Sequence, residues 1–148
     1  MPNTNNKTGN KTTIKTLLAF DFGTKRIGIA SGQTITQTAT ALKTLHAVKN
    51  KPDWDKIAQL IQQWQPNALV VGLPLTLDGG EQAMTKAARR FARQLHGRFH
   101  LSVFEVDERF SSTDAEIRLQ ESGDHWEEDE IDGQAAVIIL EMWFSQGD

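Results

Sequence analysis

The stretch LLAFDFGTKRIGIAS, residues 17–31, opens as an apolar run fit for a buried strand and then places an acid, Asp21, just before Gly23 and a basic pair. A fully buried, unpaired carboxylate costs roughly several kcal/mol. Asp21 is therefore expected at a strand end that faces a cleft. Residues 16–20 and 26–31 read as two antiparallel strands with DFGTK as their turn, where Gly23 can supply a positive φ. Outward from this hairpin, TITQTATALKTL (34–45) is Thr-rich and partly alternating, which predicts a third, edge-like strand.

The rest of the chain alternates strand and helix. Asp53 caps an expected helix whose apolar positions Trp54, Ile57, Ala58, Ile61 and Trp64 follow the helical period, with Pro66 just past its end. NALVVGL (67–73) is an unbroken apolar run typical of a strand covered on both faces. Residues 82–96 predict a second helix closed by Gly97 as its C-cap, and HLSVFEVD (100–107) a fifth strand. Thr113 with Glu116 matches a capping box for a short helix, and residues 132–146 a final buried one opened by Asp132. The expectation is one α/β domain over 16–148, preceded by a polar tail over 1–15. Its mixed five-stranded sheet has three antiparallel strands followed by two parallel ones, with helices on both faces.

Composition narrows the function. With 148 residues and no cysteine, the chain has room for one core and no disulfide, thiolate metal site or thiol nucleophile. The start, MPNTNNKTGNKTTIK, has no apolar segment of a secretory signal, and no run is long enough to span a bilayer. These features point to the cytoplasm and away from a membrane. The net charge of −3 decides little about a partner, because residues 121–132 concentrate acids without a single Lys or Arg. That acidic stretch reads as a solvated loop.

The first, fourth and fifth strands are expected to run parallel, so their C-terminal ends share the edge where open α/β sheets bind ligands. Asp21 ends the first, Gly72 the fourth, and Asp107, Glu108 and Arg109 follow at the end of the fifth. Asp132 lies on a helix that must pack back over the sheet. Convergent carboxylates repel one another unless a cation sits among them, and hard oxygen ligands suit Mg²⁺ or Mn²⁺. Each acid has a plain alternative: Asp21 as a turn residue, Asp107 and Glu108 paired with Arg109, Asp132 as an N-cap.

LLAFDFGTKRIGIA, VVGLPLTLDGGEQ, VDERFSSTDAE and IDGQAAVIILE, in this order, resemble the YqgF family, also called RuvX. The resemblance implies an RNase H-like fold related to RuvC resolvases and a metal-dependent nuclease that matures the 5′ end of precursor 16S ribosomal RNA. It implies catalytic and metal-binding roles for Asp21, Glu108 and Asp132, with Asp107 assisting and Mg²⁺ or Mn²⁺ as cofactor. The implied partners are precursor rRNA and ribosomal precursor particles, or branched DNA. One departure is acidic: Glu127 to Glu130 stand where basic residues are expected, which removes a phosphate contact.

Lys25, Arg26 and Arg109 lie nearest the expected cleft and are candidates for holding phosphates. Lys86, Arg89, Arg90 and Arg93 fall at helical spacing, as a backbone-binding stripe or an ordinary solvated face. Trp54, Trp64 and Trp143 read as core, and Trp126 as a residue that could stack on a base. His96 and His100 do not make a zinc pair, since Gly97 intervenes. Three other functions compete: a Holliday junction resolvase, a non-catalytic RNA or ribosome-precursor binding factor, and an ATP-binding protein. The last rests on DFGT, which resembles the phosphate turn of actin-like and sugar-kinase ATPases. Those enzymes close two such domains around ATP, and this chain has room for one.

Overall fold

The computed structural model describes residues 14–108, 117–118, 120–121 and 127–146. Arg109, the helix start at Thr113 and Glu116, Trp126 and residues 1–13 of the polar tail lie outside them. Ile14 and Lys15, polar tail by composition, already belong to the fold. Ile14 is buried, and the Lys15 N–H donates to Asn67 Oδ1 at 2.9 Å.

Six strands form one sheet: β1 (Thr16–Phe22), β2 (Arg26–Gln33), β3 (Thr38–Ala41), β4 (Leu45–His46), β5 (Ala68–Leu73) and β6 (Ser102–Asp107). The order is β3-β2-β1-β5-β6, with β4 also paired to β2. As expected, β1 pairs antiparallel with β2 and parallel with β5, which pairs parallel with β6. The single third strand expected over 34–45 is instead two. β3 follows Ala30–Gln33 and β4 follows Arg26–Ile27, both antiparallel. Between them the chain leaves the ladder because the buried Thr44 turns its hydroxyl to the backbone carbonyl of Asp129, at 2.7 Å.

Helices α1 (Trp54–Trp64) and α2 (Ala83–Phe99) cover one face and α3 (Glu128–Ser145) the other. Asp53 caps α1 as expected, its carboxylate accepting from the Lys56 N–H at 3.2 Å. Alternation along the strands sorts the core. Leu18, Phe20, Ile27, Ile29, Leu69 and Val71 meet Ile57, Phe91 and Leu95. Leu17, Ala19, Ala30, Ala68 and Val70 meet Val137, Ile139, Leu140 and Trp143. Each large side chain so buried contributes about 1.5–3 kcal/mol.

Two helix ends differ from the expected ones. α2 does not stop at Gly97 but runs to Phe99, with His100 as a left-handed cap whose N–H reaches the His96 carbonyl. Glycine inside a helix costs about 1 kcal/mol, which the packing of Phe99 beside Trp54 outweighs. α3 starts four residues before Asp132, so the acidic residues from Glu128 to Asp132 are helix rather than loop. Glu127 and Glu130 form a capping box, and Glu128, Asp129 and Glu130 make the first turn, where negative charge complements the helix dipole.

Candidate active site

Asp21 shares its strand face with Leu17 and Ala19, so its carboxylate is presented toward α3 at the C-terminal edge of the sheet. Glu108 is the first residue beyond β6. Its N–H still donates to the Leu73 carbonyl at 3.0 Å, which extends the ladder by one step and fixes the side chain on the same face as Val106. The Glu108 side chain occupies the space a β-carbon would take on Gly72: that carbon would lie 2.3 Å from Oε2. Gly72 is thus what lets a carboxyl lie flat across the strand between Asp21 and Glu108. The same alternation puts Asp107 on the opposite face, where it acts on Glu108 only through charge.

The two carboxyls are hydrogen-bonded to each other. Burial pushes the Asp21 carboxyl up to about 6, and the Asp132 charge adds to the rise, against the opposing effects of the Glu108 hydrogen bond and Arg26. Burial, then the Asp21 charge and hydrogen bond, push Glu108 up to about 10. At neutral pH the two carboxyls therefore hold one proton between them. Glu108 is 7% exposed, and among the described residues its buried Oε2 has no hydrogen-bond partner. A buried acceptor with nothing to accept from is costly, and it marks an oxygen free to meet a cation.

Asp132 lies in the second turn of α3, above Gly28, where an added β-carbon would meet the Asp132 carbonyl oxygen at 2.1 Å. Gly28 is the cross-strand partner of Asp21, so the third acid stands over the first. Its carboxylate is engaged by Arg26, with Nε donating to Oδ2 at 2.6 Å, while the Arg26 Nη2 reaches Glu128 at 3.4 Å. Among the described residues no three His, Asp or Glu side chains are gathered to hold a metal ion. Asp132 shows why: it faces the arginine rather than the carboxyl pair.

Asp21, Lys25, Arg26, Met84 and Asp132 line an open recess of about 260 Å³, together with the β1–β2 turn. Lys25 is exposed at its mouth. The basic positions of α2 stand in different surroundings. Lys86 is exposed, Arg89 pairs with Glu81 at 2.7 Å, Arg90 lines a separate groove beyond the turn, and Arg93 lines a third depression beside Phe104. Gly72 stands between the acids as the sequence placed it, whereas Gly28 and the Arg26–Asp132 pair were missed in the sequence. The signal for Gly28 is the run of small residues at alternate positions of β2, Gly28, Ala30 and Gly32.

Removing either partner of the Arg26–Asp132 bond, as Arg26→Gln or Asp132→Asn, is expected to lower stability by about 1–2 kcal/mol, allowing for partial exposure. The double variant loses little more than either single one. Urea unfolding of the four proteins in a double-mutant cycle measures this, and additive losses would show that the bond contributes nothing.

The RuvX family profile, described as a Holliday junction resolvase, matches residues 15–146. The chain belongs to the RuvX family. Relatives from Yersinia enterocolitica and Yersinia pestis, each named "Putative pre-16S rRNA nuclease", are 49% identical over 134 residues, 89% of this chain and 96% of theirs. Two solved structures share the fold at low identity. RuvC of T. thermophilus in complex with a Holliday junction superposes with a TM-score of 0.52 at 12% identity, over 88% of this chain and 93% of that one. The Fowlpox virus resolvase with Holliday junction DNA gives 0.52 at 14%, over 87% and 95%. The RuvX chain thus has the RuvC-like, RNase H-like layering that its motifs imply.

Proposed function

We propose that this protein is a divalent-metal-dependent nuclease that hydrolyses phosphodiester bonds and matures the 5′ end of precursor 16S rRNA in the cytoplasm. The observation that carries the reading is the Asp21–Glu108 pair: Asp21 lines the recess, Glu108 lies buried beside it with one proton between them, and among the described residues one Glu108 oxygen has no partner. The donors are all carboxylate oxygens, the set that suits Mg²⁺ or Mn²⁺. Asp21 and Glu108 would hold the metal, with Asp132 joining once it leaves Arg26. When bound, a divalent cation supplies an activated water and a charge that steadies the leaving oxygen.

The chain's own groups do the rest. Asp21 and Glu108 give up their shared proton when they become ligands, so affinity for the cation rises with pH. Arg26, once released by Asp132, stands at the recess with Lys25 to take the substrate phosphate. The Yersinia names support rRNA as substrate, and 49% identity over nearly the whole length supports carrying it over. Among the described residues no helix is long and apolar enough to cross a membrane.

The test is cleavage of a 5′-extended 16S rRNA precursor and of a four-way DNA junction by pure protein, in Mg²⁺, Mn²⁺ or EDTA. RNA cutting that stops with EDTA and in Glu108→Gln is the expected result. Cutting of the junction alone would move the assignment to a resolvase, as the family's description has it. RNA binding without cutting would make the protein a ribosome-precursor binding factor.

A further inference from the structure

A groove of about 470 Å³ opens on the far side of the β1–β2 turn from the recess, between that turn, the 46–54 connection and α2. Gly23 and Thr24 line both cavities, so the groove begins where the recess ends. Its cations are Lys51, Arg90 and Arg98, and among the described residues none of the three is in an ion pair. The one acid in the groove, Asp53, is occupied in capping α1.

Arg98 is held by a ring instead of an acid: its guanidinium lies 4.1 Å from the centroid of Trp54, which itself stacks on Phe91. A guanidinium fixed in that way keeps its fork of N–H donors for a ligand. Lys49 and Asn50 both have left-handed backbone, φ 53° and 64°, in the tight turn bridged from Val48 to Lys51. That turn delivers Asn50 and Lys51 to the groove wall.

We propose that this groove seats a single-stranded segment of the substrate adjoining the cleaved phosphate, with Lys51, Arg90 and Arg98 on its phosphates. The inference rests on the nuclease reading and adds to it the part of the substrate that is unpaired. Three unopposed cations match a polyanion, and the volume lies in the range of small-ligand pockets, roughly 300–1,000 Å³, too small for a duplex. Continuity with the recess favours a strand passing over the Gly23–Thr24 turn rather than a separate nucleotide.

The experiment measures binding of a labelled uridine hexamer and of a blunt RNA hairpin by fluorescence anisotropy over a range of salt, without divalent metal. It compares wild type with Lys51→Ala/Arg90→Ala and with Lys15→Ala at the opposite end of β1. Lys51 and Arg90 are exposed, so the fold does not depend on them. The double variant is expected to bind the hexamer about tenfold more weakly, with a salt slope shallower by about 1.4, the value for two lost single-strand contacts. Hairpin binding and the Lys15 control stay unchanged. Equal loss on hexamer and hairpin, an unchanged slope, or uridine monophosphate binding as tightly as the hexamer would overturn the proposal. Precursor cleavage by the same proteins separates the two readings. A hexamer-specific loss in a protein that cuts nothing keeps the groove and removes the nuclease, whereas cutting with no hexamer-specific loss removes the groove alone.

Discussion

Asp21→Asn is expected to stop cleavage, lowering kcat/KM by about 10⁴-fold, the scale on which losing one member of a catalytic unit is felt. In metal-free protein it also raises stability above pH 6. Both effects follow from the carboxyl pair. Asp21 and Glu108 have folded pKa values near 6 and 10, above their ordinary 3.8 and 4.5, so the folded protein binds more protons than the unfolded chain in that range. Their contribution is fully present below about pH 4 and is lost as pH rises through the folded values, with a slope of at most ~1.4 kcal/mol per pH unit for each proton. Removing one charge flattens that slope. Mn²⁺ or Mg²⁺, which would supply the missing positive charge, is expected to stabilise wild type and to leave Asp21→Asn unmoved. Thermal melts from pH 5 to 9, with and without Mn²⁺, read all three. A metal-free wild type whose melting temperature rises over that range relative to Asp21→Asn would show that the two carboxyls do not share a buried proton.

Gly28→Ala is expected to be the most damaging single methyl in the protein. The added carbon would meet backbone atoms of α3 at Asp132, its carbonyl oxygen at 2.1 Å and carbonyl carbon at 2.4 Å, and no rotamer change relieves a backbone clash. α3 must lift from the sheet, at a cost of about 3 kcal/mol or more. For a chain of this size that lowers the melting temperature by roughly 6–12 °C. Because Asp132 rides on the displaced turn, cleavage falls by about 10²-fold as well, the effect of a misplacement on the order of 1 Å. Gly97→Ala is the matched control. Nothing lies within 4 Å of its added carbon, and the position is an exposed helix interior, so it gains about 0.5–1 kcal/mol. Calorimetry on the two variants decides, and equal melting temperatures would show that α3 does not rest on Gly28.

The elements that the sequence marked well are those whose signal is local. The β1–β2 hairpin, the Asp53 cap and the apolar β5 each carry their reason in a few neighbouring residues, and each forms, though β1 runs on through Phe22 and Gly23 is not left-handed. The missing side chain of Gly23 gives room instead, since a β-carbon there would lie 2.7 Å from the Arg26 carbonyl oxygen. The errors came where a distant contact overrode a local cue. Phe99 holds α2 past Gly97, Thr44 leaves its strand for the Asp129 carbonyl, and Glu128, Asp129 and Glu130 become the first turn of α3 because their charges suit a helix N-terminus.

The site divides in the same way. Sequence by itself determined which acids stand at the ends of β1 and β6, since strand polarity and a strand's length are written along the chain. It also carried the family, through four motifs in order. Only the tertiary structure decided that Asp21 and Glu108 share a proton across Gly72 and that Asp132 is held by Arg26, 106 residues away. Those facts depend on how closely α3 lies on the sheet, and that distance is set by the missing side chains of Gly28 and Gly72 acting together with the burial of α3's apolar side, which no single stretch of the chain contains.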